Sequence, residues 1–362
     1  RAAARARRVV DRTSQRFLRA DAGGSGTRFG ELLATAERCA RWLLQSFQPG
    51  EHVAVWAHNL PEWVILEYGA ALAGLTLVTV NPSLQPAEAK YIIGQSRSAG
   101  LLLVPDVRGN DLAAHLDLIR PELPDLRHVY RLDQLDELTA DAPDIALPTV
   151  GEDDPAQIQY TSGTTGNPKG VMLTNTNLVS NVEGSSDAID IGDKDVLLSF
   201  LPLCHAYERT TGYYTLFACH ATVAFAVSIE TVAENMKEVR PTYMTAVPRL
   251  FERIHGRIVT AIEKDTPAKQ KIFYWAIGVG KKYVGLTLAG KKPSPVLSAQ
   301  YAAANRLVFG KIRERTGGRL RAFISGGAAL PKDLAEFFYA AGITVLEGYG
   351  LTESSPVLTV TR

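Results

Sequence analysis

Apolar positions in this chain recur with two alternating periods. In "ELLATAERCARWLLQSF" they fall three and four residues apart, the spacing that gathers one face of a helix. The segment that follows, "PGEHVAVWA", is a proline–glycine turn running into a short apolar stretch, which predicts a strand. "PEWVILEYGAALAG" then "LTLVTV", and "PAEAKYIIGQSRS" then "AGLLLVP", repeat the same unit. Farther on, "AQIQY", "VLLSFLPL", "ATVAFAV", "TYMTAV", "RLRAFIS" and "ITVLEGYG" predict more strands. Alternation with short turns predicts an α/β fold: two doubly wound, mostly parallel sheets flanked by helices. No short repeat of solenoid period is visible.

Two stretches interrupt the rhythm. Around Asp141 to Asp154 the sequence turns acidic and proline-containing, "DAPDIALPTVGEDDPA", and predicts a boundary. The expected division is a first α/β subdomain over residues 1–150 and a second over 151–362. From Arg249 to Arg315 only helical pattern is found, so a helical insertion at about 249–315 is expected in the second subdomain. The longest apolar run, Val64 to Val80, contains Glu67 and two glycines and turns β-branched, which predicts helix then buried strand rather than a membrane span.

Composition narrows the function classes. The 362 residues are 46% hydrophobic and 21% charged, as in a globular protein with a large core. A net charge of +1 argues against nucleic acid as a partner. Three cysteines, Cys39, Cys204 and Cys219, fit a reducing cytoplasm better than a disulfide framework. The start, "RAAARARRVVDRTSQRF", carries many arginines with Asp11 as its only acid. A transit-like or nucleic-acid-binding arm would look like this, but a solvated helix face is the expectation. Between Glu263 and Lys292 seven lysines face two acids. With Phe273, Tyr274 and Trp275 as interfacial anchors, that segment suggests peripheral contact with an anionic membrane, against the simpler reading of a solvated face on packed helices.

The chemistry is concentrated in "YTSGTTGNPKGV", Tyr160 to Val171. Glycines let successive backbone N–H groups point into one concavity, hydroxyls add donors, and Lys169 adds a full charge. Together these suit a polyphosphate. The usual nucleotide loop needs Gly-Lys-Ser/Thr opening a helix, whereas here Pro168 precedes Lys169, Gly170 follows it, and a second strand is expected. Cys204-His205 and Cys219-His220 invite a zinc reading, but neighbours on a strand face opposite ways and no Cys-x-x-Cys pair exists.

"YTSGTTGNPKGV" resembles the phosphate loop of the adenylate-forming enzymes. "EGYGLTESSP", Glu347 to Pro356, "ISGGAALP", Ile324 to Pro331, "LPLCHAYER", Leu201 to Arg209, and "VNPSLQPAEAKYII" are similar to further blocks of that family, so the resemblance covers nearly the whole chain. It implies that Thr161 and Glu353 ligate Mg2+, while Ser162, Gly163, Thr164, Thr165, Gly166 and Lys169 hold the β- and γ-phosphates of ATP. Gly327, Ala328 and Ala329 would lie on one face of adenine and Tyr349 on the other, within the adenine- and magnesium-binding segment Glu347, Gly348, Tyr349, Gly350 and Leu351. Thr352 would meet the α-phosphate and His205 the substrate carboxylate. Taken alone, Tyr349 reads as a core aromatic, Glu353 as a helix N-terminal acid and His205 as a strand-end histidine.

Arg209, four residues after His205, and the helical segment after "VPRLFERIHGRI" resemble the long-chain fatty acyl-CoA synthetase branch. The implied reaction activates a medium-to-long-chain fatty acid to acyl-adenylate and then acyl-CoA, with coenzyme A as co-substrate. Only nine residues follow Glu353, so the family's ribose-binding aspartate, hinge and C-terminal lid domain with its lysine are expected to be missing, leaving an incomplete N-terminal domain that is inactive alone. A non-catalytic nucleotide- or acyl-binding module, or a ligase for another carboxylic acid, are the alternatives. Oligomeric state is not legible.

Overall fold

The computed structural model describes residues 16–20, 27–161, 167–226 and 228–361. Loop residues Ser162 to Gly166, and residues 1–15 of the stretch expected to form a helix face, lie outside the described residues; the last two of that stretch, Arg16 and Phe17, are in a strand and not a helix. In chain order the strands are β1 (Arg16–Ala20), β2 (Thr27–Arg28), β3 (His52–Trp56), β4 (Thr76–Val80), β5 (Gly100–Leu103), β6 (Asp106–Val107), β7 (Asn110–Asp111) and β8 (His128–Arg131). There follow β9 (Pro155–Thr161), β10 (Lys169–Thr174), β11 (Val196–Ser199), β12 (Thr222–Ala226), β13 (Tyr243–Ala246), β14 (Ala322–Ser325), β15 (Thr344–Gly350) and β16 (Val357–Val360).

The first sheet has the order β10-β9-β4-β3-β5-β8 and is parallel except for β10, which runs antiparallel to β9. All residues of β4 and β5 are buried, as a parallel sheet covered on both faces demands. Helices Phe29–Leu43 and Pro61–Leu72 pack against each other beside it. Helix Pro86–Gln95 begins with proline, and the Gln85 N–H donates to Glu88 Oε2 at 2.9 Å, fixing its first turn. Gly100 is where β5 passes Phe47: a Cβ there would run into the buried ring's Cζ. Gly100→Ala is therefore expected to cost about 1–3 kcal/mol by overpacking, read as a lower urea midpoint at unchanged slope.

The second sheet has the order β16-β15-β14-β13-β11-β12-β1-β2, with a parallel centre and antiparallel pairs at both ends. Its core includes Phe251, Phe323 and Phe338, with Phe251 edge-on to the other two at 5.1 Å. The stretch expected to be helical is so: helices Pro248–Glu263, Pro267–Leu288 and Pro295–Ala304 each begin with proline, where the missing N–H costs nothing.

Three expectations need correction. The sheets do not divide at residue 150: β9 and β10 join the first sheet, and β1 and β2 the second. β9 belongs to the first sheet because it pairs with β4, and Thr76 Oγ1 donates to Pro155 O at 3.0 Å. "VLLSFLPL" is strand only to Ser199, since Pro202 lacks the N–H that a central strand needs. Phe273 cannot anchor in a membrane, because it is buried in the second core; Tyr274 and Trp275 beside it are exposed. Among the described residues no helix is long and apolar enough to cross a membrane.

Candidate active site

Thr161 closes β9 and Lys169 opens β10, directly opposite each other in the antiparallel register. The two strand ends of this antiparallel pair, a hairpin stem, hold Thr161, half-buried, and Lys169, exposed. Gly170 is tightly placed: a Cβ there would meet Ile158 Cγ2 at 2.8 Å. The short turn Thr352–Ser354 packs against β10 and brings the exposed Glu353 to the same neighbourhood.

Beside this hairpin opens a cavity of about 620 Å³, of a size suited to a small-molecule site. Gly327 and the run Gly348, Tyr349, Gly350, Leu351 and Thr352 form one part of its wall. His205, Tyr207 and one face of helix Asn175–Ala188 form another. Tyr349 is 62% exposed, so it is an open platform and not a core aromatic. Gly327 has φ +80°, a backbone conformation that L side chains rarely adopt. Ala328 and Ala329 are exposed on the loop after β14, next to Gly327 but outside the cavity wall. Glu347 lies on β15 opposite Ser325, also outside the wall, its N–H donating to Thr361 Oγ1 at 2.8 Å. Thr161, Lys169 and Glu353 likewise lie off the wall, on the hairpin side.

His205 sits in a turn, not at a strand end, and the turn is held by the first sheet. Asn59 Nδ2 donates to Leu201 O at 2.7 Å, and the Leu203 N–H donates to Asn59 Oδ1 at 2.8 Å. Thr79 Oγ1, in β4, donates to Cys204 O at 3.1 Å. Asn81, just past β4, places Nδ2 3.5 Å from His205 Nε2. Residues at the carboxyl ends of the first sheet's strands therefore position a wall of the second, the place where open α/β sheets bind ligands. The imidazole opens onto the cavity, yet surrounding protein and then the Arg209 charge hold its pKa below the usual histidine value. Cys204 is buried beside it, its thiol pushed up to about 12 by that burial.

Three further features escape a reading of motifs. The small and polar residues Asn181, Gly184, Ser185 and Ala188 of "NTNLVSNVEGSSDA" recur at helical spacing and face the cavity; that periodicity was their only signal. Asn181 also clasps the end strand, with Nδ2 donating to Val357 O at 2.8 Å and Oδ1 accepting from the Val357 N–H at 3.1 Å. Finally, Arg209 is fully buried and pairs with Glu67, whose Oε1 takes Arg209 Nη1 at 3.0 Å, Gln157 Nε2 at 2.6 Å and the Tyr214 hydroxyl. The guanidinium lies over Trp63 at 5.3 Å. Burial pushes the Glu67 carboxyl above its usual range, against the pull of Arg209 and Tyr214.

The donor set can be tested against magnesium. A hydroxyl at Thr161 and a carboxylate at Glu353 are hard oxygen donors on two elements that both adjoin β10. Among the described residues no group of three or more histidine, cysteine or acidic side chains could cage a metal. Few protein ligands suit magnesium, which keeps waters and takes substrate phosphates as its remaining partners.

The profile of the AMP-binding enzymes matches residues 3–362. Over 330 residues the chain is 32% identical to the peroxisomal long chain acyl-CoA synthetase 6 of Arabidopsis thaliana, covering 85% of this chain and 45% of that protein. It is 31% identical over 325 residues to the long-chain-fatty-acid–CoA ligase FadD15 of Mycobacterium bovis, covering 85% and 52%. The chain thus spans about half the length of these curated relatives. The inhibitor-bound N-terminal domain of FACL13 from Mycobacterium tuberculosis has the same fold, with a TM-score of 0.73 at 24% identity over 98% of this chain and 76% of that one. ATP-bound MatB from Rhodopseudomonas palustris gives 0.71 at 24% identity over 99% and 61%.

Proposed function

The chain belongs to the AMP-binding enzyme family, and we propose on that premise that it is the nucleotide- and acyl-binding part of a fatty-acid–CoA ligase. One observation carries the reading: a single cavity whose wall joins Gly348 to Thr352 with His205 and the small-residue face of helix Asn175–Ala188. A nucleotide on the first part and a fatty acid on the second would place a carboxylate beside an α-phosphate.

In the proposed reaction the fatty-acid carboxylate attacks the α-phosphorus of ATP, forming acyl-adenylate as pyrophosphate leaves. The thiol of coenzyme A then attacks the acyl carbonyl, and AMP departs. Lys169 and the hairpin would hold the β- and γ-phosphates, and Thr352 the α-phosphate. Thr161 and Glu353 would hold magnesium, which supplies positive charge to the phosphoryl oxygens. His205, kept uncharged near neutral pH by its surroundings, can hydrogen-bond the carboxylate without introducing a second charge. A medium-to-long acyl chain is supported by the curated relatives named as long-chain synthetases.

The test is fatty-acid-dependent pyrophosphate exchange in the full ligase. Glu353→Gln is expected to lower exchange by about 10²–10³-fold, the scale for losing one transition-state stabiliser. Palmitate affinity should stay unchanged, because Glu353 does not line the cavity. Full exchange activity in the variant would remove Glu353 from the metal site.

A further inference from the structure

Glu208 opens the π-helical turn Glu208–Tyr214 and is fully buried. Its carboxyl oxygens meet the hydroxyls of Ser199, at the end of β11, and Thr245, in β13. The Phe200 N–H also bonds the carboxyl, Gly212 packs so close that a Cβ there would come within 2.9 Å of the Glu208 carboxyl carbon, and Glu208 itself borders the cavity. Among the described residues no cation pairs with it: the neighbouring Arg209 turns its guanidinium to Glu67. A carboxylate surrounded only by neutral partners takes up a proton rather than remain a bare buried ion. Ser199 and Thr245 can serve such a carboxyl, since a hydroxyl both donates and accepts. The same segment builds the cavity wall: His205, Tyr207 and Thr211 face the cavity, and the Arg209 N–H donates to His205 O at 3.3 Å.

We infer that Glu208 is a positioning residue that works as a neutral, proton-carrying carboxyl, bolting the His205–Thr211 segment to the second sheet so that this wall of the cavity keeps its shape. The inference rests on the fatty-acid reading of that cavity.

Burial pushes the Glu208 carboxyl up to about 8, even against the Ser199 and Thr245 hydroxyls and the Phe200 N–H. The titratable and charged groups around it are His205, Tyr207 and Arg209 on its own segment, with Glu67 beyond Arg209. From β11 and β13 it is bonded by Ser199 and Thr245, with the Phe200 N–H just past β11 as a further partner; Tyr243, also on β13, directs its hydroxyl to Asp190 O. A folded-state value above the unfolded one means that this stabilising contribution is whole below the ordinary carboxylate range. It is lost as pH rises through about 8.

The experiment compares purified residues 1–362 with Glu208→Gln and Glu208→Ala. Infrared difference spectra at pH 7 should contain a protonated-carboxyl band in the wild type that Glu208→Gln lacks and that titrates near pH 8. Palmitate affinity should survive in Glu208→Gln, an uncharged isostere, and weaken roughly tenfold or more in Glu208→Ala, which leaves two hydroxyls without a partner. Wild-type palmitate affinity should fall as pH passes about 8, whereas unfolding stability should decline from the ordinary carboxylate range up to about 8 and level off above it; Glu208→Gln should lose both trends. An absent band, a Gln variant as impaired as the Ala variant, or an Ala variant that binds palmitate normally would overturn the inference. Should Glu208→Ala fail to fold, rescue by Gln together with the band decides it. Should the wild type bind no palmitate, the fatty-acid reading fails, and the band and the pH dependence of unfolding still judge the carboxyl.

Discussion

Purified residues 1–362, given ATP, magnesium, coenzyme A and palmitate, are expected to form palmitoyl-CoA several orders of magnitude more slowly than a complete ligase. They hold the hairpin stems and the cavity, but the resemblance implies that the ribose aspartate and the lid domain's lysine lie outside them. Each lost hydrogen bond to a charged group costs about 1.5–3 kcal/mol, and about 1.4 kcal/mol is a factor of ten in affinity. Without two such contacts and a closing lid, ATP binding would be weaker by a few orders of magnitude. Without such a lysine the rate would fall further, since its charge would count most in the transition state. Tyr349 at 62% exposure, Leu351 at 51% and Leu358 at 55% leave this side of the cavity open to water. Palmitoyl-CoA appearing at roughly 1–10³ per second, an ordinary enzyme rate, would show that every catalytic group already lies within these residues.

The second large effect concerns the buried ion pair. Arg209→Met should destabilise the fold by about 3–5 kcal/mol, the usual result of stripping a buried charge of its partner. In the unfolding equilibrium that is roughly a hundredfold to a few thousandfold. Glu67 would be left with Gln157 and the Tyr214 hydroxyl around a carboxylate that burial already disfavours. The double variant Glu67→Gln with Arg209→Met should recover most of the loss, because the amide still accepts those bonds and methionine fills volume against Trp63. Urea titration of the single and double variants measures both numbers. Equal destabilisation in the two would mean that the pair's shape, and not its charge, is what the fold requires.

Much of the fold was legible because its signals are local. The apolar runs of β3, β4, β5 and β9 to β15, and the proline-started helices after Val247, each declare themselves within about ten residues. The hairpin stems Thr161 and Lys169 were legible for the same reason, since glycines and hydroxyls between two apolar runs mark a loop with donors. Illegible from local pattern was the sheet to which each strand belongs. β9 looks like the start of a new unit after an acidic linker, yet it pairs with β4, some eighty residues earlier in the chain. The polar anchors were hidden likewise. Glu67 reads as a flaw in an apolar helix until Arg209 is brought to it across 142 positions, and Asn59 reads as a loop residue until it caps the turn at Leu203. Tyr349 misled when taken alone, because aromatic character says nothing about which side of a strand is covered.

The clasp of Asn59, Thr79 and Asn81 on residues 201–205 also sets an order of assembly during synthesis. Thr79 waits 125 residues for Cys204, which at a ribosomal pace of about 5–20 residues per second is roughly 6–25 seconds. All six strands of the first sheet, ending at Thr174, are translated before that clasp can close. A nascent chain at this stage can complete one sheet while its docking edge still faces the chaperones, and no ligand can reward it. Substrate-dependent protection from protease should therefore arise late, only after the His205 turn and the strands behind it have left the exit tunnel.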